Sequence, residues 1–310
     1  MKKIFLFLLC LLLPMELVAI DHCTHPGEYT VDKRCYVTNE QKKIKPFNAV
    51  AGVIGYYGIG CTGSVVKDGD DLFLYTAKHC VRGRKNIDVK LPNGAEARAY
   101  LVTCGDYKTI FTSHGQEGIN NDGDWAILKF DNPYLDFVNI SKHSKDKKAM
   151  SVGYGSLKIM SDKEITDFKN QYIEFLKNND SPYVVDDGEG NLVEEGKITV
   201  TPENEEQYGF IGDGISYTNG YVQWFLRKSD FYDKFCGDTD KMKVSYCEYD
   251  FDENIADGCQ GWQGDSGGGL FDADGDFMAI RAAGTAVIGG TNHASAQDAD
   301  GYVQVCIETE

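Results

Sequence analysis

The chain has 310 residues, 42% hydrophobic and 25% charged, with a formal net charge of −17. That length supports an ample apolar core, and the composition excludes a disordered chain. A surface this acidic repels nucleic acid and anionic lipid, so neither is expected as a partner.

In chain order, residues 1–19 carry the pattern of a signal peptide. Lys2 and Lys3 give a basic start, residues 4–13 form a short apolar run, and Pro14 breaks it. Ala19 is the expected last residue, with Ile20 the alternative. The run is too short to span a bilayer, and no later stretch is long and apolar enough to do so. The expectation is a secreted or periplasmic protein without stable membrane insertion. Of the 10 cysteines, Cys10 lies in the signal. The rest should mostly form disulfides outside the cytosol, and their odd number leaves at least one outside an intrachain bridge. No cysteine spacing matches a zinc site.

Residues 20–46 form a polar leader holding Cys23, Cys35 and the basic residues Lys42, Lys43 and Lys45. Short apolar blocks at 50–54, 72–75, 99–102 and 125–130 then alternate with turns and read as strands. Glycine outnumbers proline by 34 to 7, which fits an all-β architecture with tight turns. The middle differs. Ser161 and Glu164 form a capping box opening a helix over 161–178, with Ile165, Phe168, Tyr172, Phe175 and Leu176 on one face. An acidic, turn-rich stretch follows at 186–191. Blocks at 197–200 and 221–226 read as strands, and 229–235 as a short second helix. Glycine-punctuated strands return over 267–306. Within them Asp272, Asp274 and Asp276 alternate as in a calcium loop, but the glycine at position six and the distal glutamate are missing. A hairpin turn is expected instead.

Three segments carry chemistry. Thr76-Ala-Lys-His-Cys80 ends an apolar strand with a histidine. Asp124-Trp-Ala-Ile-Leu128 begins a strand with an aspartate. Gly264-Asp-Ser-Gly-Gly268 sets a serine in a glycine-rich turn. A serine hydroxyl is a poor nucleophile at neutral pH until an imidazole takes its proton. A buried carboxylate must hold that imidazole in one tautomer, and N–H donors must receive the oxyanion.

These segments, in the order His, Asp, Ser, resemble those of the chymotrypsin–trypsin family of serine peptidases. The resemblance covers about 47–310, weakly over 145–235. It implies two six-stranded antiparallel β-barrels of the chymotrypsin type, about 47–145 and 146–310, with a partly helical insertion at about 156–235. The implied activity is endopeptidase cleavage by acyl transfer, with His79, Asp124 and Ser266 as triad and the amides of Gly264 and Ser266 as oxyanion hole. Protein or peptide substrates and protein inhibitors are the implied partners, and no cofactor or metal is required. Two rivals stay open: an inactive protease scaffold serving as a binding protein or adhesin, and an esterase with the same triad.

The resemblance also implies a Cys61–Cys80 bridge pinning the histidine loop and a Cys236–Cys247 bridge beside the specificity pocket. Asp257 is the candidate pocket base for Arg or Lys substrates. Trp262, Gln263 and Gly264 read as an insertion before the serine, and if they shift the loop, Gln260 takes that position. Ala282 and Gly284 belong to the implied substrate-binding edge strand. His293 lies near the implied pocket wall and reads as a surface histidine. Cys259 lacks the family's usual partner. The pairing of Cys23, Cys35, Cys104 and Cys306 stays open. Asp265 is the residue that would pair with a newly cut N-terminus. The family's Ile-Val-Gly-Gly start is absent, so processing is expected within residues 33–44, with Ile44 a candidate new terminus.

Overall fold

The structure, a computed structural model, describes residues 34–56, 58–112, 115–119, 123–142, 148–181, 184–186, 192–194, 196–212, 214–216, 219–250, 255–257, 261–284, 287–288 and 293–298. Six of the first sheet's seven strands build a barrel: β1 (Val50–Gly55), β2 (Gly58–Asp68), β3 (Asp71–Thr76), β4 (Asn86–Lys90), β5 (Glu96–Cys104) and β6 (Ala126–Phe130), while the short strand Val138–Asn139 adds in parallel to β2. Their order is β2-β1-β4-β5-β6-β3, and β3 also pairs with β2, which closes a barrel and removes its edges. Burial alternates along β6, with Ala126, Leu128 and Phe130 inside, as the period of two requires. A single helical turn, α1 (Lys78–Val81), follows β3.

The second sheet contains β7 (Lys148–Gly153), β8 (Lys243–Asp250), β9 (Ile255–Asp257), β10 (Gly269–Phe271), β11 (Phe277–Gly284) and β12 (His293–Asp298). The order is β8-β7-β10-β11-β12-β9, and β8 and β9 also pair, so these pairings run in a cycle. The short strand Cys35–Tyr36 adds to the outer side of β8, with Cys35 opposite Val244 and Tyr36 opposite Lys243. One hydrophobic core runs through both sheets: Val65, Leu74 and Leu128 from the first share a cluster with Val152, Phe271 and Ile280 from the second.

Among the described residues between β7 and β8 lie the α-helices α2 (Asp162–Asn178), α3 (Gly220–Lys228) and α4 (Phe231–Phe235). Ser161 and Glu164 form the expected capping box, and Ile165, Phe168, Tyr172 and Leu176 form the buried face of α2. The helices have their own aromatic core, in which the Phe168 ring lies 4.1 Å from Phe231 and 5.5 Å from Phe225. Residues 221–226, expected as a strand, are helical. The Asn219 side chain accepts the Tyr221 N–H at 2.9 Å as an N-cap. The buried residues Tyr221, Val222, Phe225 and Leu226 repeat four apart, the helical rather than the strand period. The other expected strand, 197–200, is reduced to a single bridge between Asp180 and Lys197. The acidic run at 272–276 is the expected turn: Asp272 N–H donates to the Asp276 carbonyl at 3.0 Å, and Asp272 Oδ1 accepts the N–H groups of Asp274 and Asp276. Among the described residues no helix is long and apolar enough to cross a membrane.

Cys61 and Cys80 are bridged, with an S–S distance of 2.04 Å. The expected Cys236–Cys247 bridge is not made. Cys236 remains a thiol, while Cys247 is disulfide-bonded elsewhere. The two sit in separate cores. Cys236 packs on the helical cluster, and Cys247 lies in β8 among Ala149, Tyr249, Leu270 and Met278. Cys35 and Cys104 are also disulfide-bonded. Cys23, Cys259, Gln260 and Cys306 lie outside the described residues.

Candidate active site

His79 stands on α1, directly after β3. The preceding Ala77 is extended, and Arg82, at a left-handed φ of 49°, ends the turn. The Arg84 guanidinium donates to the carbonyls of Cys80 at 2.8 Å and Val81 at 3.0 Å, satisfying groups that a helix end leaves orphaned. The Cys61–Cys80 bridge then ties this turn to β2. His79 is therefore fixed by three independent restraints before its imidazole meets any partner.

Asp124 enters β6 from the same end of the barrel. It is 1% exposed, and His79 is 30% exposed, so the carboxylate is enclosed while the imidazole reaches the surface. His79 N–H donates to Asp124 Oδ1 at 2.9 Å, and His79 Nδ1 lies 2.6 Å from Asp124 Oδ2. A carboxylate accepting at Nδ1 fixes the tautomer that leaves Nε2 able to take a proton. The Tyr107 ring lies 6.2 Å from the imidazole.

Ser266 lies in the turn between Gly261 and β10. Its carbonyl accepts Thr62 N–H at 2.8 Å and lies 3.6 Å from Cys80 Sγ, which sets the serine backbone beside the histidine turn. The next residue shows how close the approach is. A Cβ on Gly267, at φ +81°, would come within 2.3 Å of the Thr62 carbonyl oxygen, so only glycine fits. Among the described residues, the N–H groups of Asp265, Gly267 and Gly268 are bonded within the fold, while those of Gly264 and Ser266 donate to none.

Thr62 is a site residue that sequence reasoning missed. Its hydroxyl donates to the Gly264 carbonyl at 2.8 Å and accepts Tyr154 N–H at 2.9 Å, and its carbonyl accepts the Thr76 hydroxyl at 2.7 Å. One threonine thus joins β2, β3 and the serine turn. Its only sequence signal is its place beside Cys61.

The expected substrate-side residues lie on the second sheet. Ala282 is buried in β11, and Gly284 closes that strand, opposite Ala294 of β12. Asp257 ends β9 and is registered opposite His293 of β12. β11 is anchored to the serine turn by Gly267 N–H to the Arg281 carbonyl at 2.7 Å and Arg281 N–H to the Gly268 carbonyl at 2.8 Å. Among the described residues, Cys61, His79 and Cys80 are the one group of possible metal ligands close together. Their two sulfurs are joined in the disulfide, so no thiolate is available to a metal.

A closed β-barrel whose rim sets a His–Asp pair beside a serine in a glycine turn has the construction of a trypsin-like serine peptidase. The chain belongs to that family: the model of the trypsin-like peptidase domain matches residues 61–280. Comparison with curated proteins returns no match. Among solved structures, the chain is similar to a Glu endopeptidase in complex with MPD, with 14% identity over 88% of this chain and 94% of that one and a TM-score of 0.43. It is also similar to neuropsin from mouse brain, with 14% identity over 80% and 89% and a TM-score of 0.39. A serine endoprotease from Yersinia pestis matches with 15% identity over 84% and 62% and a TM-score of 0.39.

Proposed function

We propose that the protein is a secreted or periplasmic serine endopeptidase with His79, Asp124 and Ser266 as its triad. The observation that carries this reading is the double hydrogen bond from His79 to the buried Asp124 in a chain of the trypsin-like peptidase family. Ser266 Oγ attacks the carbonyl carbon of the scissile peptide, and His79 Nε2 takes the hydroxyl proton. Asp124 orients the ring and stabilises its cation without itself taking the proton. The tetrahedral oxyanion is received by the N–H groups of Gly264 and Ser266, two amides without a partner among the described residues. His79 gives its proton to the leaving amine as the C–N bond breaks. Water, deprotonated by the same imidazole, then releases the acyl group from Ser266.

The substrate backbone is expected to pair with β11 at Ala282 and Gly284, past Ile280 where its register with β10 ends. Asp257 is proposed as the base of the pocket, with a preference for Arg or Lys side chains. Protein or peptide substrates and protein inhibitors are the partners this reading implies. The test is labelling by a peptidyl phosphonate, which forms a covalent bond to an activated serine. Labelling at Ser266, lost in Ser266→Ala and in His79→Ala, is the expected result. An unlabelled folded protein would favour a binding role on the same scaffold.

A further inference from the structure

Asp265 precedes Ser266 and is 6% exposed, so its charge must be compensated inside the fold. Two backbone donors meet it: Gly155 N–H reaches Oδ1 at 2.5 Å and Trp262 N–H reaches Oδ2 at 2.8 Å. The end of β7 is shaped for this contact. A Cβ on Gly155 would lie 2.3 Å from Oδ2. Trp262 in turn packs in the aromatic core of the helical insertion, so the insertion packs against the serine turn.

Two buried cations lie in electrostatic range of this carboxylate. Lys243 of β8, 2% exposed, donates to the carbonyls of Gly155 at 2.6 Å, Asp238 at 3.0 Å and Lys241 at 3.1 Å. Its ammonium and the Asp265 carboxylate thus meet the two polar ends of one residue, Gly155. Arg281 of β11, 6% exposed, lies so close over Gly261 that a Cβ there would come within 2.3 Å of Cζ. Asp265 favours the charged form of both. A third buried cation, Arg34, donates to the carbonyls of Leu157 at 3.2 Å and Lys158 at 2.9 Å, and repels both. Against these stand Asp265 and Asp238, the latter already holding the Tyr36 hydroxyl at 2.5 Å and Lys241 at 3.1 Å. A further ammonium pushed in beside Asp265 would meet cations already there, and like charge disfavours it.

The segment expected to be cut away is itself part of this cluster. Arg34 is buried, Cys35 is disulfide-bonded, Tyr36 pairs with Lys243, and Val37 N–H donates to the Met242 carbonyl at 3.0 Å. Ile44, the candidate new terminus, is instead 51% exposed, and its N–H is held by the Gln41 carbonyl at 3.0 Å.

We propose that Lys243 and Arg281 are internal counter-charges that position Asp265, so that the serine turn is working-shaped without cleavage between residues 33 and 44. This rests on the reading of Ser266 as nucleophile. Lys243 and Arg281 are positioning residues and touch no substrate. The groups facing Lys243 are Asp265, Asp238, Lys241, Arg34 and Tyr36. Burial holds the Lys243 ammonium down to about 8, so its charge, and the support it gives Asp265, is lost on the alkaline side.

The experiment uses the full chain with Lys42→Gln and Lys43→Gln, treated with a peptidyl phosphonate and read by intact mass. Labelling of protein that retains residues 33–44 supports the proposal. Labelling confined to protein cut in that interval overturns it and leaves the nucleophile reading intact. Labelling of neither form overturns both. A second measurement is the labelling rate against pH for wild type, Lys243→Met and Lys243→Arg. Wild type should lose rate above pH about 8. Lys243→Met should start about tenfold slower at pH 7 and lack that alkaline loss. Lys243→Arg should restore the neutral rate and carry it to higher pH. Profiles unchanged by both variants overturn the role of Lys243, and the Arg variant alone decides it if the Met variant does not fold.

Discussion

Asp124 holds His79 through both of its oxygens: backbone N–H to Oδ1 at 2.9 Å, and ring Nδ1 against Oδ2 at 2.6 Å. The first contact fixes where the histidine sits, and the second fixes how its ring is turned. Asp124→Asn keeps the shape but offers an amide donor toward Nδ1, which favours the wrong tautomer. The expected loss in kcat is about 10⁴-fold, with little change in thermal stability. Steady-state kinetics on a peptide substrate, beside a melting curve, check both halves. A loss below tenfold would remove Asp124 from the triad.

The Cys61–Cys80 bridge joins β2 to the histidine turn across a sequence separation of 19. Closing a loop of that size restricts the unfolded chain by about 3 kcal/mol. Replacing both cysteines by alanine should lower stability by about that amount in a denaturant titration. Because Cys80 adjoins His79, kcat should fall as well, while Asp124→Asn should not alter the melting curve. The two variants therefore separate the frame of the histidine from its chemistry.

Much of the candidate site was legible in the sequence, because the proposed triad chemistry needs particular residue types beside particular backbone shapes. The histidine ending an apolar strand, the aspartate opening another and the serine among glycines each announce themselves locally. The helix 162–178 was equally legible, since Ser161 and Glu164 mark its start and its buried face repeats at helical spacing. Residues 221–226 misled because a short aromatic-rich block satisfies strand propensity, while Asn219, the cap that decides the matter, lies outside the block. The Cys236–Cys247 pairing, implied by the resemblance, failed because that likeness does not say which core each cysteine faces. Thr62, Lys243 and Arg281 were missed because their roles exist only after distant segments meet. For Thr62 the signal available was its place beside Cys61, and for Arg281 it was a lone arginine inside the apolar run of β11.

Phe168 packs in the cluster that contains Trp262, whose N–H holds Asp265. Phe168→Ala should cost about 3–5 kcal/mol of stability, as deletion of a fully buried aromatic does. If the insertion braces the serine turn, phosphonate labelling should slow under conditions where the variant is still folded. A destabilised variant with an unchanged labelling rate would make the insertion a separately stable decoration.

Asp257 is the proposed pocket base and stands in register with His293 across β9 and β12. A carboxylate at the base of such a pocket makes a charge-assisted bond to an Arg or Lys side chain worth about 1.5–3 kcal/mol. Asp257→Ala should therefore reduce kcat/KM on an Arg or Lys substrate by about 10- to 100-fold and leave a neutral substrate much less affected. A cleavage profile across a peptide library reads this directly. Retained basic preference would remove Asp257 from the pocket base, whereas a wild type with no basic preference would point to Gln260 in that position.

Lys243 should separate stability from activity as pH rises. Burial lowers its folded-state value to about 8 from 10.5, so between those two limits the unfolded chain binds the proton that the folded protein has released. Stability rises with pH wherever the unfolded state binds more protons. In that window the cost of a buried ammonium is progressively relieved, and the contribution of Lys243 to folding improves. Over the same range Asp265 loses a counter-charge, and activity should fall. Melting curves from pH 7 to 10.5 should therefore show wild type gaining stability relative to Lys243→Met, while its labelling rate declines. Parallel loss of stability and activity would instead mean that alkaline inactivation is ordinary unfolding, with Lys243 playing no part in holding the serine turn.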